Sequence, residues 1–142
     1  MSADSFFLDT NVIVYANDSS QTQKQKIAVQ LITRGMRSGR GVISSQVLGE
    51  FWVTVTQKIK VPLARETALQ EIEAFRTMRI VGVEYEAVRI GISLQNRFTI
   101  SYWDALILAA AGIGGCKTVY SEDLNDGQEY DKITVINPFG EV

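Results

Sequence analysis

Ser5-Phe6-Phe7-Leu8-Asp9-Thr10-Asn11-Val12 is the stretch of sequence that decides the fold. Its first half, Ser5–Leu8, is short and mainly apolar without alternation, which predicts a strand covered on both faces. Asp9 follows this run directly and separates it from a second apolar run that starts at Val12. Burying a carboxylate there is costly unless it has hydrogen bonds or a cation. Asp9 is therefore expected either to cap the next helix or to belong to a functional site.

Further short apolar runs predict three more strands, with a possible fifth at Arg79–Val83. The three are Gly41–Ser44, Thr118–Tyr120 and Ile133–Ile136. Helical periodicity predicts helices between them, at Gln21–Arg37, Ser45–Lys60, Arg65–Arg76, Glu84–Asn96 and Ser101–Ile113. Alternating strands and helices predict a three-layer α/β/α fold with a short central parallel sheet and right-handed crossovers. No linker or repeat divides the chain, so we expect one domain over residues 1–142.

Composition narrows the possible functions. With 142 residues, 46% hydrophobic and 21% charged, the chain can bury one core. It has no histidine, which removes the commonest general base and zinc ligand, and its net charge of −2 provides no global attraction for nucleic acid. No apolar run is long enough for a membrane helix, and the start does not resemble a secretory signal. Cys116 is the single cysteine, which suits a cytoplasmic location.

Three more acidic residues occupy positions comparable to that of Asp9. Asp123 lies just beyond the predicted strand Thr118–Tyr120, and Glu50 lies early in the helix that follows Gly41–Ser44. Asp104 is in the first turn of the apolar helix Ser101–Ile113. Each has an ordinary alternative, because Asp104 can favour a helix dipole, Asp123 can be a solvated turn residue and Glu50 a solvated helix residue.

Their joint placement favours function. In open parallel α/β sheets the functional crevice lies outside the carboxyl ends of the strands. Carboxylates clustered there repel one another, and a divalent cation relieves that repulsion. An all-oxygen ligand set without histidine suits Mg²⁺ or Mn²⁺ rather than Zn²⁺.

The chain resembles the PIN-domain nucleases, and within them the VapC-type toxins of toxin–antitoxin pairs. The resemblance depends on Phe7–Val12, on Glu50, on the helix segment Asp104–Ala111 and on Ser121-Glu122-Asp123. It implies an acidic catalytic and metal-binding quartet made of Asp9, Glu50, Asp104 and Asp123. It also implies supporting roles for Thr10, Asn11 and Ser121, and Asp126 could replace or assist Asp123.

The resemblance further implies a metal-dependent endoribonuclease that hydrolyses RNA, acts as the toxin of a type II pair, forms a homodimer and is neutralised by a small antitoxin. Two alternatives remain open. One is a catalytically weak PIN-fold domain that only binds a partner. The other is a Mg²⁺-dependent phosphatase or phospho-receiver with Asp9 as acceptor, although no well-placed lysine at a strand end is evident. Trp52 and Trp103 are expected in the core, and Lys24 and Arg34 are expected to be solvated or to contact phosphates.

Overall fold

A computed structural model describes residues 4–140 of the chain and contains one six-stranded sheet. The strands are β1 (Ser5–Leu8), β2 (Gly41–Ser44), β3 (Arg79–Val81), β4 (Cys116–Tyr120), β5 (Glu129–Tyr130) and β6 (Ile133–Ile136). They lie in the order β3-β2-β1-β4-β6-β5. Every neighbouring pair is parallel except β5 and β6, which run antiparallel at one edge.

Six α-helices connect and flank the strands in the described residues. They are α1 (Thr10–Tyr15), α2 (Thr22–Ser38), α3 (Ser45–Gln57), α4 (Arg65–Ala74), α5 (Tyr85–Phe98) and α6 (Tyr102–Ile113). A short 3-10 turn over Phe75–Thr77 continues α4. The Ser44 hydroxyl accepts a hydrogen bond from Val47 N–H and so caps α3 at the point where β2 ends.

The helices cover both faces of the sheet, which gives the predicted three layers. Gly41 and Val42 are consecutive strand residues and therefore face opposite sides. A Cβ added at Gly41 would lie 2.7 Å from the Cα of Gly35 in α2, so this face needs glycine for close contact. A Cβ added at Gly114, which follows α6, would lie 2.9 Å from a Val42 side-chain carbon. Helices α2 and α6 therefore pack on opposite faces.

The strand order places a crevice beside β1. From β1 the chain proceeds outward through β2 and β3 in one direction, and then through β4 and β6 in the other. The carboxyl ends of β1 and β4 therefore adjoin at the point where the order reverses, and ligands bind at such points in open α/β sheets. Asp9 follows β1 and Ser121 follows β4, so both lie at this crevice.

Three features differ from the sequence-based expectations. The run after Asp9 forms a six-residue helix, α1, which was not among the helices given bounds from the sequence, and the two-residue strand β5 was not predicted. Trp103 was wrongly expected in the core, since 62% of its surface is exposed, whereas Trp52 does pack against the core. Trp103 lies at the start of α6, before the buried segment Ala105–Ala111 begins.

None of the helices in residues 4–140 is long and apolar enough to cross a bilayer.

Candidate active site

Asp9 is the buried acid of the site, with 4% of its surface exposed. One carboxylate oxygen accepts a hydrogen bond from Thr10 N–H at 2.7 Å, and the other accepts one from the Ser121 hydroxyl at 2.7 Å. Burial raises the pKa of Asp9 from 3.8 to about 7, against these hydrogen bonds and with a contribution from the charges of Asp123 and Glu50. Asp9 therefore caps α1, as one of the two sequence-based readings expected, and it also lies near other acids.

The loop after β4 brings Asp123 to Asp9. Ser121 is fully buried, and its hydroxyl accepts a hydrogen bond from Asp123 N–H at 3.1 Å. Asn11 holds the same loop twice: its amide donates to Asp123 Oδ2 at 3.2 Å, and its oxygen accepts from Glu122 N–H at 3.2 Å. Ser121 and Asn11 therefore hold the loop that carries Asp123 in place beside Asp9.

Glu50 reaches the site from α3. The Thr10 hydroxyl donates to Glu50 Oε1 at 2.5 Å, although 40 residues separate the two in sequence. Glu50 is exposed, as its position on the helical wheel suggested. Gln46, one turn earlier, donates to Glu50 Oε2 and to the carbonyl oxygen of Trp103, each at 3.3 Å. Gln46 was not singled out from the sequence, and its contact joins α3 to the start of α6.

Asp104, on α6, lies near the same two charged residues that act on Asp9, namely Glu50 and Asp123. Ser101 caps this helix, accepting a hydrogen bond from Asp104 N–H at 3.0 Å, as the sequence predicted. Partial burial raises the pKa of Asp104, opposed by the Ser101 hydrogen bond and assisted by the charges of Asp123 and Glu50. Asp104 and Asp9 thus interact with the same two carboxylates, so the structure brings together all four acids of the proposed quartet.

The donor set fits a hard divalent cation, with one restriction. Carboxylates, two hydroxyls and an amide supply oxygen ligands without any histidine. Within residues 4–140, however, no group of three or more acidic or cysteine side chains is arranged to hold a metal ion. A cation here would be held by one or two carboxylates together with water, which is the mode that Mg²⁺ adopts in proteins.

Two candidate residues, Asp126 and Arg34, have other partners in the structure. The Asp126 carboxylate accepts a hydrogen bond from Asn137 N–H at 2.8 Å, so it stabilises the turn after β6. Asp126 is not among the charges that act on Asp9 or Asp104. Arg34 donates to the Tyr120 hydroxyl at 2.9 Å and lies over the Phe6 ring, so it is held against the protein surface.

A cluster of three side chains beside the site, Tyr15, Lys24 and Glu122, was not predicted from the sequence. Lys24 donates to Glu122 Oε2 at 2.6 Å, and the Tyr15 hydroxyl donates to Glu122 Oε1 at 2.6 Å. Burial disfavours the ionised form of Glu122, but these hydrogen bonds outweigh burial and lower its pKa. Lys24 is therefore occupied by a protein carboxylate rather than solvated. No local signal could have revealed this pair, because 98 residues separate its members.

The structure is an α/β/α domain, with a mostly parallel sheet covered on both faces. Its acidic site offers only oxygen ligands and lies where the strand order reverses. The chain belongs to the PIN domain family, whose sequence model matches residues 6–130. A search of curated proteins finds no match.

Solved structures share this fold at low sequence identity. A toxin–antitoxin complex from Klebsiella pneumoniae matches with a TM-score of 0.68 and 17% identity, over 95% of this chain and 98% of that one. The DNA-bound VapBC complex from Salmonella typhimurium matches with a TM-score of 0.67 and 19% identity, over 94% and 97%. Mycobacterium tuberculosis VapC20, a sarcin–ricin loop cleaving toxin, matches with a TM-score of 0.64 and 19% identity, over 84% and 90%.

Proposed function

We propose that the protein is a Mg²⁺- or Mn²⁺-dependent endoribonuclease that hydrolyses RNA phosphodiester bonds. The observation that carries the proposal is the convergence of four carboxylates, from β1, α3, α6 and the loop after β4, at one edge of a PIN-domain sheet. Clustered acids repel an RNA phosphate unless a cation neutralises them. The same cation would therefore serve both substrate binding and chemistry.

In this mechanism Asp9 and Asp104 would hold the principal cation, and Glu50 and Asp123 would complete one or two cation sites. When bound, a divalent ion would supply two effects that need no histidine: it would lower the pKa of a coordinated water and stabilise charge on the phosphoryl oxygens. Ser121 orients Asp9 through the 2.7 Å hydrogen bond and the loop of Asp123 through the 3.1 Å bond. Thr10 orients Glu50 in the same way.

The biological role we propose is the toxin of a type II toxin–antitoxin pair, acting in the cytoplasm. Support comes from structural neighbours described as a toxin–antitoxin complex and as VapBC, with the chain covering nearly all of each. We further propose a homodimer neutralised by a small cognate antitoxin that reaches the acidic site. Exposed apolar side chains on α5, Tyr85 and Ile92, offer surface for such contacts. Sedimentation as a monomer at micromolar concentration would contradict the dimer.

The phospho-receiver alternative fits the site less well. A receiver site needs a lysine placed beside the acceptor aspartate at the ends of the strands. The nearby cation Lys24 is bound to Glu122. Stoichiometric binding of beryllofluoride would favour the receiver reading. The partner-binding alternative predicts no divalent-ion binding, which a Mn²⁺ titration tests.

The experiment that tests the proposal is end-mapping of cellular RNAs after induced expression, with the Asp9→Asn variant as control. We expect new RNA 5′ ends at a restricted set of sites with the wild-type protein and none with the variant. Identical RNA ends in both samples, at equal protein levels, would contradict the proposal.

A further inference from the structure

An open groove of about 930 Å³ extends from the acidic site along α1 and α3. We call it the α1–α3 groove. Its lining includes Thr10, Asn11, Gly49 and Glu50 at the acidic end, and Lys58 and Lys60 at the other end. Two further acids line the groove outside the acidic site, and each has a partner within the protein. Glu122 is paired with Lys24, and Asp18 accepts hydrogen bonds from both polar groups of Ser20.

The two lysines give the far end of the groove a positive charge. Both are exposed, and neither takes part in an ion pair within residues 4–140. Lys58 is the C-cap residue of α3, eight positions after Glu50, so it lies about 12 Å further along the helix axis. That distance is too long for both side chains to act on one phosphate. Lys58 is instead placed to contact another phosphate of a strand whose scissile phosphate lies at the acids.

Gly49 is the second observation, independent of charge. It lies inside α3, next to Glu50, and its φ is not positive, so its backbone does not require glycine. A Cβ added there would meet no atom within 4 Å, so packing does not require glycine either. Glycine inside a helix costs about 1 kcal/mol relative to alanine. A glycine that neither backbone nor packing explains is consistent with a surface that a ligand approaches closely.

We infer that the α1–α3 groove binds the RNA strand on one side of the scissile phosphate, with Lys58 and Lys60 contacting backbone phosphates and Gly49 keeping the path open. This inference deepens the proposed function and rests on it. Phosphates are the natural partners of lysines, and Thr54 adds a hydroxyl donor to the lining of the groove for sugar or phosphate oxygens. Contacts of this kind position the strand without reading its sequence.

The test compares three purified proteins: wild type, K58Q/K60Q and the matched control K26Q/K117Q. The control loses the same charge, but Lys26 and Lys117 do not line the groove, and Lys117 lies near the amino end of β4. The probe is a fluorescein-labelled, random-sequence, single-stranded RNA in Mg²⁺, with anisotropy read immediately after mixing. We expect the Kd of K58Q/K60Q to rise roughly ten-fold and its log–log salt slope to become shallower by about 1.4, since each phosphate contact on a single strand contributes about 0.7. The control should match wild type.

Substitutions of increasing side-chain size at Gly49 test whether the RNA strand passes along this part of the groove. Gly49→Ala and Gly49→Phe add progressively more volume where the structure has open space, so the Kd for RNA should rise with side-chain size while the melting temperature does not fall. Equal RNA affinity for wild type, K58Q/K60Q and Gly49→Phe overturns the inference alone, provided that wild type still cleaves RNA. Absence of cleavage by wild type with either cation overturns the proposed function, and the inference with it. Equal weakening of K58Q/K60Q and K26Q/K117Q also overturns the inference, since it reduces the effect to net charge.

Discussion

The Ser121 hydroxyl donates a 2.7 Å hydrogen bond to Asp9 across 112 residues of sequence. The same oxygen accepts from Asp123 N–H, so one buried hydroxyl connects the acid after β1 with the acid-bearing loop after β4. Ser121→Ala should therefore lower the affinity for Mn²⁺ and the cleavage rate by at least ten-fold. Part of the effect arises because Asp9 loses a partner that stabilises its ionised form.

Titration calorimetry with Mn²⁺ and a cleavage assay on the same preparations check this prediction. Ser93→Ala is the matched control, because Ser93 is an exposed serine on α5. Wild-type Mn²⁺ affinity in Ser121→Ala would show that the hydroxyl only fills space in the core.

Asp9→Asn should stabilise the metal-free protein, and the gain should depend on pH. The folded pKa of about 7 exceeds the ordinary value of 3.8, so the folded state binds more protons than the unfolded state between these values. Wild-type stability should therefore fall as pH rises from about 4 to about 7 and then level off, by at most roughly 4 kcal/mol. Asn carries no charge, so its variant should lack this decline.

Urea unfolding at pH 5 and pH 8, in excess chelator, measures the difference. We expect Asp9→Asn to exceed wild type in free energy of unfolding at pH 8 by more than at pH 5. A variant that is less stable at pH 8 would show that the Asp9 charge is well compensated in the folded protein.

Asp104→Asn should abolish cleavage and change stability by less than Asp9→Asn does. Asp104 is only partly buried, so removing its charge relieves less desolvation, and the helix dipole loses a favourable charge worth about 0.3–1 kcal/mol. Melting temperature in chelator and cleavage in Mg²⁺ are measured on one preparation. A variant that still cleaves RNA would assign Asp104 to helix capping alone.

The two acids of the loop after β4 should behave differently. Asp123→Asn removes a charge that acts on Asp9 and Asp104, so cleavage should be lost with little effect on stability. Asp126→Ala removes the acceptor for Asn137 N–H, which should cost about 1 kcal/mol of stability while cleavage persists. The reverse pattern in thermal unfolding and cleavage assays would make Asp126 the fourth acid.

The ion pair between Lys24 and Glu122 should contribute both to the free energy of unfolding and to the affinity for Mn²⁺. A double-mutant cycle with Lys24→Met and Glu122→Gln should give a coupling energy of about 0.5–1 kcal/mol in unfolding experiments, because the pair is partly exposed. Both single variants should also weaken Mn²⁺ binding, since Glu122 directly precedes Asp123. Unchanged Mn²⁺ affinity in both would limit the cluster to a structural role.

The sequence predicted those parts of the fold that depend on local patterns. Strands β1, β2 and β6 have the predicted bounds, and Ser101 caps α6 as expected. Helix α1 was given no bounds from the sequence, although Asp9 was considered as a helix cap, because its run is only six residues long and rich in β-branched side chains, which favour strands. Strand β5 was missed because two residues carry no periodicity.

The candidate site was predictable in part. Positions just after strands identified Asp9 and Asp123, because the carboxyl ends of parallel strands meet at one edge. The contacts that Gln46 and Lys24 make depend on side chains distant in sequence, for which one chain carries no signal. Trp103 was misassigned because an apolar helical run does not show where burial begins along the helix.

Cleavage of purified RNA by the wild-type protein with and without divalent cation tests the central claim most directly. The assay includes Mg²⁺ or Mn²⁺, excess chelator, and restoration of the cation after chelation, with Asp9→Asn run in parallel. We predict cleavage with either cation, none in chelator, recovery when the cation is restored, and none by the variant. Undiminished cleavage in chelator, or cleavage by Asp9→Asn at the wild-type rate, would contradict a cation-dependent nuclease site at the carboxyl edge of the sheet.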